Sequence, residues 1–491
     1  MAREPEDDGP VVPFPMSPVS NGEWCPLPVK PKQRLAAELI VQETERRARR
    51  HGMTRAQFLR TAAGTATTFM VLNKVHGLDQ WGDAAAMPVR PSHCDDLAAG
   101  RQLLDRKMFV VDVQAHHVDT TMPSAGGGCF LRFRGSIRRF AELGYKVSET
   151  TLTCPEVIGQ TNFIKELFLD SQTSVAVLSG LPYSGILIGP KAMADTRDVV
   201  NQLAGSQRAL SQAMIEPQLP KGAGPTALDT FEQQVKEFGA AALKCYTYSG
   251  NWRIDDEAIA YPMLEEAKRL RIGLVNIHKG LPAVFAPGSA ESVRTIDFPK
   301  AVRDFPELKF CAYHSGYFQE GSHPAGKDGL TEFLEVIQSI PKKLRKNVYA
   351  EIGSTFAITL LEGPDQAAHL LGQLLKALGS RNILWGTDSI WWGSPQFLID
   401  AFKTLQIPAP MREQFGYPAL TDRAKRRILG ENAARLYHLK RRDPRCTVPP
   451  DALARLQEEQ GGFRSERTLR AYGPRTRREF LALLLQDPRP A

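Results

Sequence analysis

From residue 107 to residue 436 one unit recurs along the chain. A short apolar, β-branched run gives way to polar residues and then to a stretch whose apolar positions return every three or four residues. The runs are KMFVVDVQ (107–114), TSVAVLSG (173–180), RALSQAMIEP (208–217), AAALKCYTY (240–248), IGLVNIHKG (272–280), LKFCAYHSG (308–316), NVYAEIGS (347–354) and NILWGTDS (382–389). Helical spacing is clearest in PMLEEAKRLR (262–271) and QAAHLLGQLLKALG (366–379). Near-continuous apolar strands alternating with helices imply a parallel sheet covered on both faces, and eight such units predict an α/β fold, a closed (β/α)8 TIM barrel. No Gly-x-Gly-x-x-Gly or Walker loop follows any strand, so dinucleotide and phosphate sites lose their main support.

The flanks divide the chain further. Residues 1–52 form a leader, with a proline-rich, polar part over 1–31 expected to be disordered or extended, and a helix over 33–51 that Gly52 stops. Residues 53–105 make a second segment, 106–440 the barrel and 441–491 a basic tail. The segment TRAQFLRTAAGTATTFMVL (54–72) resembles a degenerate twin-arginine export signal, with AAA at 84–86 as its cleavage site. Ala56 stands where the second arginine belongs, and TRREFL at 476–481 fits the pattern better near the far end, where no such signal works. The other reading is a helix with Thr54 as N-cap and Gln57 completing a capping box. The helix reading leaves the protein cytoplasmic; a working signal would send it to the periplasm. In the tail, DALARLQEEQ (451–460) is amphipathic and suits either docking or a solvated surface.

With 491 residues, 42% of them hydrophobic, the chain can fill a large core. Lys and Arg outnumber Asp and Glu by 62 to 54, yet six of the eight excess charges fall in residues 1–60 and 441–491. The barrel is nearly neutral, which argues against a nucleic-acid groove. Seven cysteines (25, 94, 129, 154, 245, 311, 446) form no CxxC pair and read as reduced, mostly buried thiols. No apolar run reaches the roughly 20 residues of a spanning helix, so no integral membrane span is expected.

Active sites of such barrels sit at the C-terminal ends of the strands. There stand Gln114, His116 and His117, then Glu216, Lys244, His278 and Lys279, His314, Glu351 and Asp388. Four of the ten histidines fall at strand ends, a concentration that random placement would seldom produce. His116, His278 and Asp388 lie on strands that the barrel brings around one mouth. Imidazoles with one carboxylate suit a divalent ion such as zinc. Each residue alone has a plainer reading: a hydrogen-bonded histidine, a turn aspartate, glutamates paired with lysines. Trp385, Trp391 and Trp392 surround Asp388, while Tyr246, Tyr248 and Trp252 follow Lys244. These aromatics fit the walls of a site for a planar or acyl substrate, or ordinary packing over the mouth.

DVQAHH (112–117), IHKG (277–280), YHSG (313–316), WGTDSIWWGSP (385–395) and RRILGENAARLY (426–437) occur in an order that resembles the amidohydrolase superfamily. The narrower likeness is to its branch of aminocarboxymuconate semialdehyde and resorcylate decarboxylases. The resemblance implies a hydrolase or non-oxidative decarboxylase acting on a small carboxylate or acyl substrate through metal-bound water or a metal-held substrate. One divalent metal is implied, zinc first and manganese second, on His116, His278 and Asp388. Asp388 would also move a proton, and His314 would serve in acid–base or substrate contacts. Gln114 departs from the pattern, because the family places His there and some decarboxylases Glu; glutamine could offer only a neutral carbonyl oxygen. That position tilts the reading towards decarboxylation. Lys244 is expected to attract a substrate carboxylate or to sit in a structural ion pair, and Trp391 to line the substrate site. A homodimer is implied by analogy alone. The alternative is a metal-free, degenerate barrel that works as a binding or adaptor protein through its tails.

Overall fold

The computed structural model describes residues 14–21, 23–119, 158–180, 188–218, 226–283, 288–439, 451–463 and 475. All eight predicted runs contain strands: β1 (Val111–Ala115), β2 (Val175–Leu178), β3 (Ala209–Ser211), β4 (Ala213–Met214), β5 (Leu243–Tyr246), β6 (Leu274–Gly280), β7 (Lys309–Tyr317), β8 (Val348–Glu351) and β9 (Ile383–Leu384). They pair in parallel, β1 to β2 to β3 and then β4 through β9 in order. The third run is split at Gln212, where the chain passes from pairing with β2 to pairing with β5: Gln212 N–H donates to Leu178 O and Ala213 N–H to Ala242 O. The ring closes between its last and first strands, since Val113 N–H donates to Trp385 O (3.1 Å) and Asp388 N–H to Gln114 O (2.9 Å). The structure is the predicted (β/α)8 barrel.

Alternation along the strands builds two cores. Val111 and Val113 of β1, Val175 and Val177 of β2, Leu274 of β6, Cys311 of β7, Tyr349 of β8 and Leu384 of β9 meet in one buried cluster. Residues from strands all around the ring can meet only inside the barrel, and Ala433, Leu436 and Tyr437 close that cluster. Intervening positions such as Val275, Ile277, Phe310 and Ala312 pack outward in the larger core, with helix residues such as Leu371 and Leu374. Above the apolar floor lies a polar layer. The Gln212 amide donates to Ser179 Oγ and Tyr313 Oη, and Asn276 donates to Gln212 Oε1 and Tyr437 Oη.

The flanks pack onto this barrel. Helix α1 (Pro31–Arg50) is followed by α2 (Arg55–Leu59), α3 (Ala62–Val75), α4 (Pro91–Asp95) and α5 (Leu97–Leu104). Thr54 caps α2 in the expected box, with Gln57 N–H donating to Thr54 Oγ1 (3.2 Å) and Thr54 N–H to Gln57 Oε1 (2.8 Å). The export-like stretch is therefore folded: Ala62, Ala66, Phe69 and Leu72 of α3 are buried, and Phe69 meets Phe397 at 5.3 Å. The proposed cleavage site is pinned, because Gln406 donates from its backbone to Ala86 O and from its side chain to Ala85 O. No helix among the described residues is long and apolar enough to cross a membrane. TRREFL, Cys129, Cys154 and Cys446 lie outside the described residues; Cys94, Cys245 and Cys311 are buried free thiols. The helix Ala452–Glu459 docks on its own barrel, as Asp451 receives Arg208 Nη1 at 3.0 and 2.9 Å and Gln457 donates to three carbonyls after residue 167.

Part of the leader is packed against the barrel. Residues 14–21 and 23–24 form no helix or strand, yet they are not solvated: Phe14, Met16, Val19, Asn21, Glu23 and Trp24 are all buried. Phe14 stacks on Trp392 (5.5 Å) and on Phe397 (4.9 Å). Enough apolar area is carried by these few side chains to hold a proline-rich irregular segment that no periodicity announces.

Candidate active site at the barrel mouth

The structure brings Gln114, His116, Lys244, His278, His314 and Asp388 together at the C-terminal ends of the strands, all of them buried. Pairing is irregular just where these side chains sit: the register shifts between Asp112 and Ala115 in β1 and between His278 and Gly280 in β6. Such irregularities re-aim side chains. His314, Ser315, Ser354 and Asp388 adopt positive φ (62°, 55°, 53° and 60°), a conformation that costs a residue with a Cβ about 1–2 kcal/mol. Neighbours hold them there. Glu351 accepts the N–H groups of His314 and Gly353, and Asp388 N–H is fixed by Gln114 O. Gly386 must be glycine because a Cβ there would overlap the Glu351 carboxyl.

Three imidazoles each spend one nitrogen on a backbone carbonyl. His116 Nδ1 donates to Ser179 O (2.7 Å), His314 Nδ1 to Gly353 O (2.8 Å) and His278 Nε2 to Leu281 O (3.2 Å). A carbonyl only accepts, so these bonds fix where the protons are and leave the other nitrogen of each ring turned inward. His116 Nε2 stands 3.4 Å from Asp388 Oδ1. His278 Nδ1 stands 3.7 Å from Glu23 Oε2 and has no hydrogen-bond partner among the described residues. The His278 and His314 rings meet edge to face at 4.7 Å.

Asp388 collects further donors: Gln114 Nε2 at 3.1 Å, Ser354 Oγ at 2.6 Å and Asn21 Nδ2 at 3.2 Å. Although burial opposes its charge, the His116 contact, with His314 and Ser354, holds Asp388 well below the usual carboxylate range. Burial pushes the imidazoles the other way from an ordinary histidine, His278 to about 3 and His314 to about 4, so both are neutral at pH 7. Gln114 was expected to offer a carbonyl oxygen. It instead turns its amide nitrogen to Asp388 and to His314 Nε2 (3.3 Å), with Oε1 directed towards Gly353 and unpartnered among the described residues.

Lys244 lies 3.9 Å above the Tyr313 ring and 4.4 Å above the Tyr246 ring, and its Nζ has no hydrogen-bond partner among the described residues. Burial lowers it to about 8, against the pull of Glu23, Glu351 and Asp388. Trp391 is fully buried, and Trp392 donates its indole N–H to Ser354 Oγ (3.2 Å). His117 turns away to Thr196. Glu216 and Glu351 accept from Ser249 and from backbone amides respectively, where lysine partners were expected. Lys279 pairs instead with Asp297 at 2.6 Å.

The donor set fits a divalent cation. Around an ion bonded at about 2.1 Å, ligand atoms stand roughly 3–3.5 Å apart; the His116–Asp388 pair at 3.4 Å and the His278–Glu23 pair at 3.7 Å each come close to that, while the expected set of His116, His278 and Asp388 does not lie together within 4.8 Å. Each imidazole is oriented by a bond from its remote nitrogen, as ligating histidines are. Among the described residues, Glu23, His278 and His314 are the one group of three such donors lying within 4.8 Å of one another. Sequence reasoning missed Glu23 and Asn21.

The profile of a protein family described as amidohydrolase matches residues 193–439. Similar solved structures include a 5-carboxyvanillate decarboxylase from Novosphingobium aromaticivorans, with bound manganese, at 10% identity over 68% of this chain and 98% of that one (TM-score 0.44). The 4-oxalomesaconate hydratase of Rhodopseudomonas palustris is 20% identical over 67% and 96% (TM-score 0.40). The 5-carboxyvanillate decarboxylase of Sphingomonas paucimobilis is 14% identical over 68% and 100% (TM-score 0.40). No curated protein matches the chain.

Proposed function

The chain belongs to the amidohydrolase family, and from that premise we propose that it is a metal-dependent enzyme that decarboxylates or hydrolyses a small carboxylate or acyl substrate. The observation that carries this reading is the set of three imidazoles, each tied back by one nitrogen, two of them presenting the other beside a buried carboxylate and the third, His314, facing the Gln114 amide. His116, His278 and Asp388 would hold the ion. A bound zinc or manganese would polarise a substrate oxygen and make water acidic near neutral pH.

The chain's own groups supply the rest. Lys244, a buried cation without a hydrogen-bond partner among the described residues, binds the substrate's carboxylate. His314, whose Nδ1 proton is committed to Gly353 O, accepts at Nε2 the water proton passed on by Asp388 in hydrolysis, or a solvent proton in decarboxylation, and gives it to the leaving group or to the carbon that loses carbon dioxide. Asp388 takes the proton of an attacking water, with Ser354 and Asn21 steadying its charge. Trp391 contributes to the aromatic wall.

The first test is elemental analysis of protein purified without chelators or a histidine tag, beside a His116→Ala, His278→Ala double variant. About one equivalent of zinc or manganese, lost in the variant, is expected, followed by carbon dioxide release or hydrolysis in a screen of small aromatic carboxylates. A second reading, a metal-free binding barrel, draws on the Gln114 amide, which already satisfies Asp388 and His314 without an ion. It expects protein that takes up neither ion and keeps its ligand affinity in His278→Ala.

A further inference from the structure

The mouth is not built by the barrel alone. Asn21 and Glu23 enter it from a segment that ends 87 positions before β1 begins. Phe14 anchors that segment on Trp392 and Phe397, and the Ser20 hydroxyl bonds Trp24 O. Asn21 then orients Glu23 twice, accepting Glu23 N–H at Oδ1 (2.9 Å) and donating from Nδ2 to Glu23 Oε2 (2.6 Å). The same amide nitrogen donates to Asp388 Oδ2, so one Asn21 clamps two buried carboxylates side by side. Tyr248 Oη holds the other Glu23 oxygen.

Two features make this an ion site. His278 gives its only proton to Leu281 O, so the lone pair of Nδ1 faces the Glu23 carboxylate at 3.7 Å with no proton between two acceptors. That confrontation is unfavourable unless a cation lies there. Moreover, the two carboxylates clamped by Asn21 have Lys244 as the buried cation that faces both, which leaves negative charge uncompensated. Resting on the metal-dependent reading above, we infer that Glu23 is a metal ligand. The N-terminal segment supplies the anionic donor that Gln114, whose amide nitrogen faces the cluster, cannot.

The test is titration of metal-free protein with Zn2+ alone and with Co2+ alone, followed by calorimetry and by the visible absorption of bound cobalt. Loss of a supporting partner behind a ligand costs roughly 10–100-fold in metal affinity. Glu23→Gln is therefore expected to lose more than about 100-fold and to alter the cobalt spectrum, while Glu23→Asp recovers part of the affinity. Matching unfolding midpoints of the metal-free proteins exclude misfolding; should Glu23→Gln not match, Glu23→Asp, expected between wild type and no binding, decides alone. Wild-type affinity and spectrum in the Glu23 variant, with binding lost in His116→Ala, would overturn the role of Glu23 and leave the metal reading standing. Wild-type protein that binds neither ion would overturn both.

Discussion

Lys244 is enclosed by the faces of Tyr246 and Tyr313 without a hydrogen-bond acceptor among the described residues, an arrangement that stability alone does not favour. Its ordinary value of 10.5 falls to about 8, so carrying the charge into the fold costs on the order of 3 kcal/mol. Lys244→Met should accordingly raise the denaturant midpoint of the metal-free protein, by about 2–3 kcal/mol, while raising KM for a carboxylate substrate. A destabilised variant would show that the lysine is paired. The residues on the strands were legible in the sequence because a polar group that ends an apolar run stands out against it. His116, His278, His314 and Asp388 all stood out in that way. Asn21 and Glu23 did not, since a proline-rich stretch has no period against which an inward-facing polar residue can be judged. Nor could the sequence show which way the Gln114 amide would face, a choice made by Asp388 and His314 across the barrel.

At the scale of elements, eight strands were readable because burial on both faces makes them continuous apolar runs. The break at Gln212 was not, because it reflects a polar partner set drawn from other strands. The helices before β1 are fastened by close backbone approach: a Cβ on Gly100 of α5 would lie 2.7 Å from Ala63 N of α3. Gly100→Ala should cost about 1–3 kcal/mol, measured as a shift in denaturant midpoint, since backbone cannot yield as a side chain does. An unchanged midpoint would mean that α3 and α5 do not approach as closely as they do in this structure. At the other end, Asp451→Ala leaves Arg208, buried and short of its bidentate partner, and should cost roughly 3–5 kcal/mol. Limited proteolysis would then cut near residues 452–459 faster than in the wild type.

For the molecule as a whole, buried titratable groups set opposing trends with pH. Burial lifts Glu351 to about 8 and Asp112 to about 7, so each contributes stability that is complete below about pH 4 and is lost as pH rises through those values. His117, lowered to about 4, contributes stability present above 6.5 and lost as pH falls. Because the two sets offset one another, the informative quantity is a difference. The stability of wild type relative to Glu351→Gln should fall by up to about 1.4 kcal/mol per pH unit between pH 5 and 8. A difference that grows with pH over that range would show that Glu351 is ionised in the fold. The leader carries a consequence of another kind. Asn21 and Asp388 touch across 367 positions of chain. During synthesis the segment that holds Asn21 and Glu23 leaves the ribosome first, and the strand end that gives it a place to dock leaves near the end. Until then Phe14 and Trp24 have no pocket to enter. If the site takes an ion, as proposed above, uptake would belong to the last stage of maturation, and a tag fused before residue 14 would be expected to slow loading more than one fused after the tail.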